Sequence, residues 1–188
     1  MGTAILHNRV IKKGGGMPEY TFDGTHTVID DGSESGTWQI ALTSTGTLTL
    51  TKAAKGITVK AQGGGGSGGA YSSRNGSDGK DGEIVSYEGE LAVGTYAVTI
   101  GAGGSERYNT SGSKGGTTTF GELLTAAGGA GGAYNGGAKL EHASIYSTYG
   151  MGAIGGTKSH HSYNVDTGVT RYYGPAGFPG VVVLSGKA

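Results

Sequence analysis

Glycine recurs at every position or every third position in a series of short runs: 63–69, 76–82, 101–104, 128–132 and 150–156. Residues 63–156 hold 28 of the chain's 42 glycines. No other feature limits the fold as strongly. A glycine inside an α-helix costs about 1 kcal/mol relative to alanine, so this stretch cannot supply long helices. A side-chain core is also short of material. Leucine, isoleucine, valine and phenylalanine make up 32 of 188 residues, and a share below about 20% combined with high net charge marks disorder. The charge condition fails, because 14 lysines and arginines balance 14 aspartates and glutamates. The chain has no cysteine, which excludes a disulfide framework and any cysteine-ligated zinc or iron–sulfur site.

The spacing suggests how such a chain could hold together. A polyproline-II helix has three residues per turn and no internal hydrogen bonds, so every third residue lies on one edge. Where that edge is glycine, neighbouring backbones can approach and satisfy each other's amides and carbonyls. Such a lattice costs glycine's large conformational entropy. Alternating runs border the glycine stretch: 38–42, 47–51 and 57–61 before it, 95–100 within it, and 181–185 after it, with 118–120 and 123–127 as weaker strands. Runs 38–42 and 47–51, separated by Thr45-Gly46, read as a hairpin. The expected fold is therefore mainly β with irregular structure: a small β-strand lead-in joined to a bundle of polyglycine-II helices, with almost no α-helix. A collagen triple helix is disfavoured by three prolines and broken triplet register, and a disordered linker by the strands that bracket the runs. An all-β domain with glycine-rich turns stays open as the competing reading.

Three regions follow from the composition. Residues 1–17 form an N-terminal arm and glycine linker, 18–62 the β lead-in, and 63–188 the glycine-rich domain with its closing strand. Within the last, 63–137 and 174–188 would form the lattice and 138–173 a Tyr/His-rich insertion. The arm carries Ile5, Leu6, Val10 and Ile11 broken by polar residues, too short and too polar for a signal-peptide core. The longest purely apolar run is 181–184, far below the roughly 20 residues of a membrane helix. Membrane insertion is therefore not expected, and neither is nucleic acid or an anionic membrane surface as a partner, since a balanced chain lacks the basic excess that these require.

No catalytic pattern stands out. Residues 101–106 (GAGGSE) do not complete a dinucleotide fingerprint, no GK[ST] follows a glycine run, and no GxSxG occurs. An enzyme is not expected, nor a cofactor. Asn75, Asp78, Asp81 and Glu83 cluster without calcium-loop spacing, and the adjacent pair His160-His161 would point to opposite faces of a strand; no metal site is assigned to either. Tyrosine is more telling. Six of the 11 tyrosines lie in 134–173, beside His142, His160, His161 and Arg171. Tyrosine offers a flat apolar body and a polar tip at low entropy cost, which suits binding loops. The competing reading packs these rings at lattice ends or between subunits.

Residues 57–69 (ITVKAQGGGGSGG), 94–104 (GTYAVTIGAGG), 115–132 (GGTTTFGELLTAAGGAGG) and the closing GFPGVVVLS at 177–185 resemble the glycine-rich domains of bacteriophage and prophage tail proteins. The resemblance covers about residues 20–185. It implies a virion protein of the tail or of a fibre or appendage, made in the bacterial cytoplasm without a signal peptide. In this family, loops joining the glycine segments contact the host surface, and the matching positions here are 71–88, 105–113 and 139–173. Candidate receptor-binding residues are Tyr71, Tyr108, Tyr146, Tyr149, His160, His161, Tyr163, Arg171, Tyr172 and Tyr173. A host cell-surface glycan or protein is the expected ligand. The arm residues Ile5, Leu6, Val10 and Ile11 would dock onto other virion proteins, and a homo-oligomer, a trimer for preference, is expected. The alternative is a purely structural decoration or joint protein with no receptor-binding role.

Overall fold

A computed structural model of the protein describes residues 17–70, 76–134, 137–152, 161–164 and 169–188. Among them the chain forms thirteen strands and no helix. In chain order they are β1 (Tyr20–Phe22), β2 (His26–Asp31), β3 (Thr37–Leu42), β4 (Gly46–Leu50), β5 (Ala54–Gln62), β6 (Ile84–Leu91), β7 (Gly94–Thr99), β8 (Arg107–Tyr108), β9 (Thr118–Phe120), β10 (Leu124–Ala126), β11 (His161–Asn164), β12 (Val169–Gly174) and β13 (Val181–Lys187). The first sheet runs β1-β4-β7-β9-β10, the second β2-β3-β13-β5-β6, and a third, three-stranded sheet β11-β12-β8. Every pairing is antiparallel.

The two larger sheets face each other across one core. The first sheet contributes Tyr20, Phe22, Leu48, Leu50, Val98, Phe120 and Leu124; the second contributes Trp38, Ile40, Leu42, Ile57, Val59, Leu91, Val182 and Leu184. Side chains alternate across a strand, so the period-two runs give one apolar face per sheet and a sandwich follows. The second sheet is apolar on its other face too, where Ala41, Val181 and Val183 are covered by Ile145, Tyr146 and Tyr149. That double coverage explains the continuous VVVL of β13, which lies between β3 and β5.

Runs 38–42 and 47–51 do form strands, but not a hairpin with each other. β3 pairs with β2 and β13, whereas β4 pairs with β1 and β7. Residues 43–45 carry the chain from one sheet to the other. Thr43 N–H donates to the Thr25 carbonyl at 2.9 Å, and Thr25 N–H donates to Ser44 Oγ at 2.6 Å.

At one end of the sandwich, strands β5, β7 and β10 run out into glycine segments, and β6, β9 and β13 are entered from them. The strand register continues into these segments. Gln62 faces Ile84 in the β5–β6 pair, and beyond it Gly63, Gly66 and Gly69 donate to the carbonyls of Glu83, Lys80 and Ser77. Val181 faces Gln62, and beyond it Gly65 and Gly68 donate to Phe178 and Pro175. Gly64, Ser67 and Ala70 donate to Gly116, Ser113 and Thr110. Bonds to one neighbour thus fall every third residue, and segment 63–70 is shared among several neighbours. Its carbonyls accept in turn: Gly64 from Gly129, Gly65 from Gly104, and Ser67 from Gly132. Residues 61–70 are all buried. Side chains cannot enter here: a Cβ on Gly65 would overlap the Met151 carbonyl, and one on Gly66 the Ala130 carbonyl.

This topology corrects the expected architecture of a small β lead-in joined to a bundle of polyglycine-II helices. The protein is all-β, with three antiparallel sheets and neither an α-helix nor a helical bundle among the described residues. The reason lies in the borders of each glycine run. The flanking period-two stretches pair into sheets, and their registers carry the glycine segments along as extensions of sheet strands.

Candidate functional site

Turn 105–111, which reverses the chain between glycine segments 101–104 and 112–116, lies away from the sandwich, and there the third sheet forms. Gly174, the last residue of β12, sits where a Cβ would overlap the Gly68 carbonyl, near the far end of the central segment. β12 pairs on one side with β11, placing His161 opposite Tyr172, Ser162 opposite Arg171 and Tyr163 opposite Thr170. On its other side it pairs with β8, placing Tyr173 opposite Tyr108 and Gly174 opposite Arg107. Six candidate residues from distant parts of the sequence, Tyr108, His161, Tyr163, Arg171, Tyr172 and Tyr173, therefore belong to one small sheet. Tyr71 and His160 lie outside the described residues, as do arm residues Ile5, Leu6, Val10 and Ile11.

Two tyrosines of this sheet define a local surface. The rings of Tyr108 and Tyr173 lie 6.2 Å apart and tilted by 59°. Tyr108 is 47% exposed, and its hydroxyl donates to Glu106 Oε1 at 2.6 Å. Residues 105–111 around it are exposed and polar apart from that ring. Asn109 adopts a left-handed backbone at φ +47°, a conformation asparagine tolerates better than most residues. It closes the turn directly after β8. Glu106 carried no signal in the sequence; only the fold puts its carboxylate beside an aromatic pair.

Tyr146 and Tyr149 have a different setting. Their rings stack at 5.6 Å and 22°, and both are half-buried against the outer face of the second sheet. Ser144 organises their turn, its hydroxyl donating to the Tyr149 carbonyl at 2.5 Å and accepting from Tyr146 N–H at 3.1 Å. Buried Gln62 anchors the same segment: Nε2 donates to the Ala143 carbonyl at 2.9 Å and Oε1 accepts from Ile145 N–H at 3.0 Å.

The acidic cluster fastens this strap to the glycine layer. Buried Asp78 accepts from Lys139 Nζ and Leu140 N–H, each at 3.0 Å. Asp81 accepts from Ala143 N–H at 2.6 Å and Gly152 N–H at 2.7 Å, and lies 2.6 Å from His142 Nδ1. Glu83 accepts from Ala127 N–H at 3.0 Å. Carboxylates that receive backbone amides in this way hold chain segments together. No group of three or more His, Cys, Asp or Glu among the described residues is arranged to hold a metal ion.

Comparison with curated proteins finds no match. Residues 40–186 match the family model of the glycine-rich domain, from Ile40 in β3 to Gly186 in β13, thus taking in strands of all three sheets and the glycine segments between them. The chain belongs to the glycine-rich domain family.

Proposed function

We propose that the protein is a structural component of a bacteriophage or prophage virion, part of the tail or of a fibre or appendage, whose third sheet and adjoining turns attach to the host surface. The observation that carries this reading is the polarity of the molecule. Met17 packs into the sandwich core and Ala188 N–H donates to the Gly36 carbonyl, both at the end away from the glycine segments. Six of the ten candidate recognition residues gather on the third sheet, beyond those segments. A protein held at one end and binding at the other needs this separation, and a rigid layer between the ends transmits position. The arm docks the protein onto other virion proteins, the assembly is a homo-oligomer with three copies favoured, and the role is binding rather than catalysis. Synthesis is cytoplasmic and the working location is the particle.

The test is to replace residues 161–172 in the virion by an equal number of glycines and serines, leaving the strap at 137–152 intact. Particles are expected to assemble and lose adsorption to host cells; full adsorption would refute attachment through this sheet. A second reading, a purely structural joint or decoration protein, draws on the half-buried Tyr146–Tyr149 pair, which packs the fold rather than facing a ligand. Under it the same replacement would lower particle yield and leave adsorption of the surviving particles unchanged.

A further inference from the structure

We propose that the Tyr108–Tyr173 pair with Glu106 is a binding site for a neutral saccharide, a refinement that rests on the host-attachment reading above. The pair is set by cross-strand register between β8 and β12, so two rings from residues 65 positions apart meet at 6.2 Å with a 59° tilt. Such an arrangement offers a ring face to the C–H side of a sugar and an edge beside it. Tyrosine does this at low entropy cost, because only two side-chain torsions are fixed. Glu106 is held against the Tyr108 hydroxyl at 2.6 Å. Its carboxylate has further acceptor capacity, which suits sugar hydroxyl donors, and hydrogen bonds to a charged acceptor are the stronger kind. Near Tyr108 in the chain, Ser105, Thr110 and Ser111 are exposed, supplying polar groups suited to a many-hydroxyl ligand.

The surroundings favour a saccharide over a protein partner. Protein interfaces gather an apolar centre of several residues. Among the residues whose side chains are described, the other exposed large apolar ones, Ile29, Ile84, Val93, Leu123, Leu140 and Phe178, belong to other segments, and within 105–111 Tyr108 alone is of that kind. Within 105–111 the exposed Glu106 and Arg107 balance in charge, so the turn offers no net charge to draw a charged ligand in preference to a neutral one.

The experiment uses the purified full chain, fluorescently labelled, on host cells in three states: untreated, oxidised by periodate, which cleaves vicinal diols, and treated with proteinase K. Binding to untreated and proteinase-treated cells with loss after periodate is expected. Tyr108→Ala and Tyr173→Ala should each weaken binding about tenfold or more, the scale of losing a buried aromatic contact, with an unchanged melting temperature. Tyr108→Phe, which keeps the ring, should stay within about threefold. Loss after proteinase with binding retained after periodate would overturn the saccharide site while leaving attachment standing. Full binding by both alanine variants would overturn this site as well. No binding to untreated cells would sink the attachment reading itself, and the site with it.

Discussion

Gly65→Ala is expected to be among the most damaging single-methyl changes in the molecule. Gly65 lies in the buried central segment, its N–H donating to the Phe178 carbonyl and its carbonyl accepting from Gly104, both at 2.8 Å. A Cβ there would overlap the Met151 carbonyl and stand 2.6 Å from Gly152 N, where ordinary contact begins at 3.4 Å. All the obstructing atoms are backbone, so no rotamer change relieves the clash. Segment 150–152 would have to move, and four bonds tie it to other segments: Gly82 N–H to the Gly150 carbonyl (2.8 Å), Gly150 N–H to Pro179 (2.6 Å), Phe178 N–H to Met151 (3.1 Å), and Gly152 N–H to Asp81 (2.7 Å). Stretching these bonds as far as the methyl demands takes them out of hydrogen-bonding range. Each buried group left unpaired costs about 1–3 kcal/mol. Losing two of the four gives about 2–6 kcal/mol, a large part of the 5–15 kcal/mol that holds a typical domain.

The control is Gly36→Ala. Gly36 has φ +69°, and nothing stands within 4 Å of the position its new methyl would take, so only left-handed strain of about 1–2 kcal/mol applies. Urea unfolding followed through Trp38, the single tryptophan and 1% exposed, reads both variants. Gly65→Ala should lower stability by about 3 kcal/mol or more, well beyond Gly36→Ala. If Gly65→Ala were no worse than Gly36→Ala, the close packing of the glycine segments would not be a source of stability, and the account of this layer would fail.

Four further outcomes follow from polar groups that are buried or half-buried. The Tyr20 hydroxyl is buried without a hydrogen-bond partner among the described residues, so Tyr20→Phe should raise stability by about 1 kcal/mol in thermal or urea unfolding. Burial pushes the Tyr20 phenol up to about 12, so the unfolded chain ionises first. Wild-type stability should fall from about pH 10 toward pH 12 by up to about 1.4 kcal/mol per pH unit on this account, and Tyr20→Phe should lose that share of the slope; parallel alkaline curves would contradict the assignment. Asp81→Ala removes the acceptor for Ala143, Gly152 and His142. It should speed amide hydrogen exchange across 142–152 at least about tenfold while β3 and β5 stay protected, and uniform exchange throughout would show that the strap is not separately anchored. Gln62→Leu should cost about 2–4 kcal/mol, because it strands the Ile145 amide and the Ala143 carbonyl; a neutral result in urea unfolding would mean the strap is held without it.

The parts of the fold that were legible in the sequence are those where local pattern and tertiary setting agree. The alternation in 38–42, 57–61 and 95–100 marks β3, β5 and β7 because each of these strands turns its larger apolar side chains to one face, the sandwich core. β6 escaped notice since its inward positions are Val85, Tyr87, Gly89 and Leu91, a face diluted by glycine within a glycine-dense region. The mistaken hairpin shows a different limit. Runs 38–42 and 47–51 are close in sequence and both amphipathic, yet Trp38, Ile40 and Leu42 face Leu48 and Leu50 across the core instead of lying beside them. Pattern reports which face is apolar; it does not say whether the next strand joins the same sheet. The candidate site divides in the same way. Tyrosine enrichment pointed to the 134–173 region, but enrichment cannot separate Tyr146 and Tyr149, which seal the outer face of β13, from Tyr173, which meets Tyr108 only after β12 has paired with β8.

The glycine runs carry the deepest consequence. The three-residue spacing sits within the sheet topology: each segment keeps the antiparallel pairing of the strand it extends, while its bonds are shared among several neighbours. A strand pair in a sheet exchanges its bonds on a two-residue repeat and buries side chains; the glycine segments bond to a given neighbour every third residue and bury backbone. The passage from one to the other at Gln62-Gly63, with no break in register, lets a single closing strand, β13, belong to the sandwich core while its approach, 174–180, bonds to the glycine layer. Substitutions in that approach should therefore disturb the sandwich and the third sheet together, because the same stretch of backbone links both.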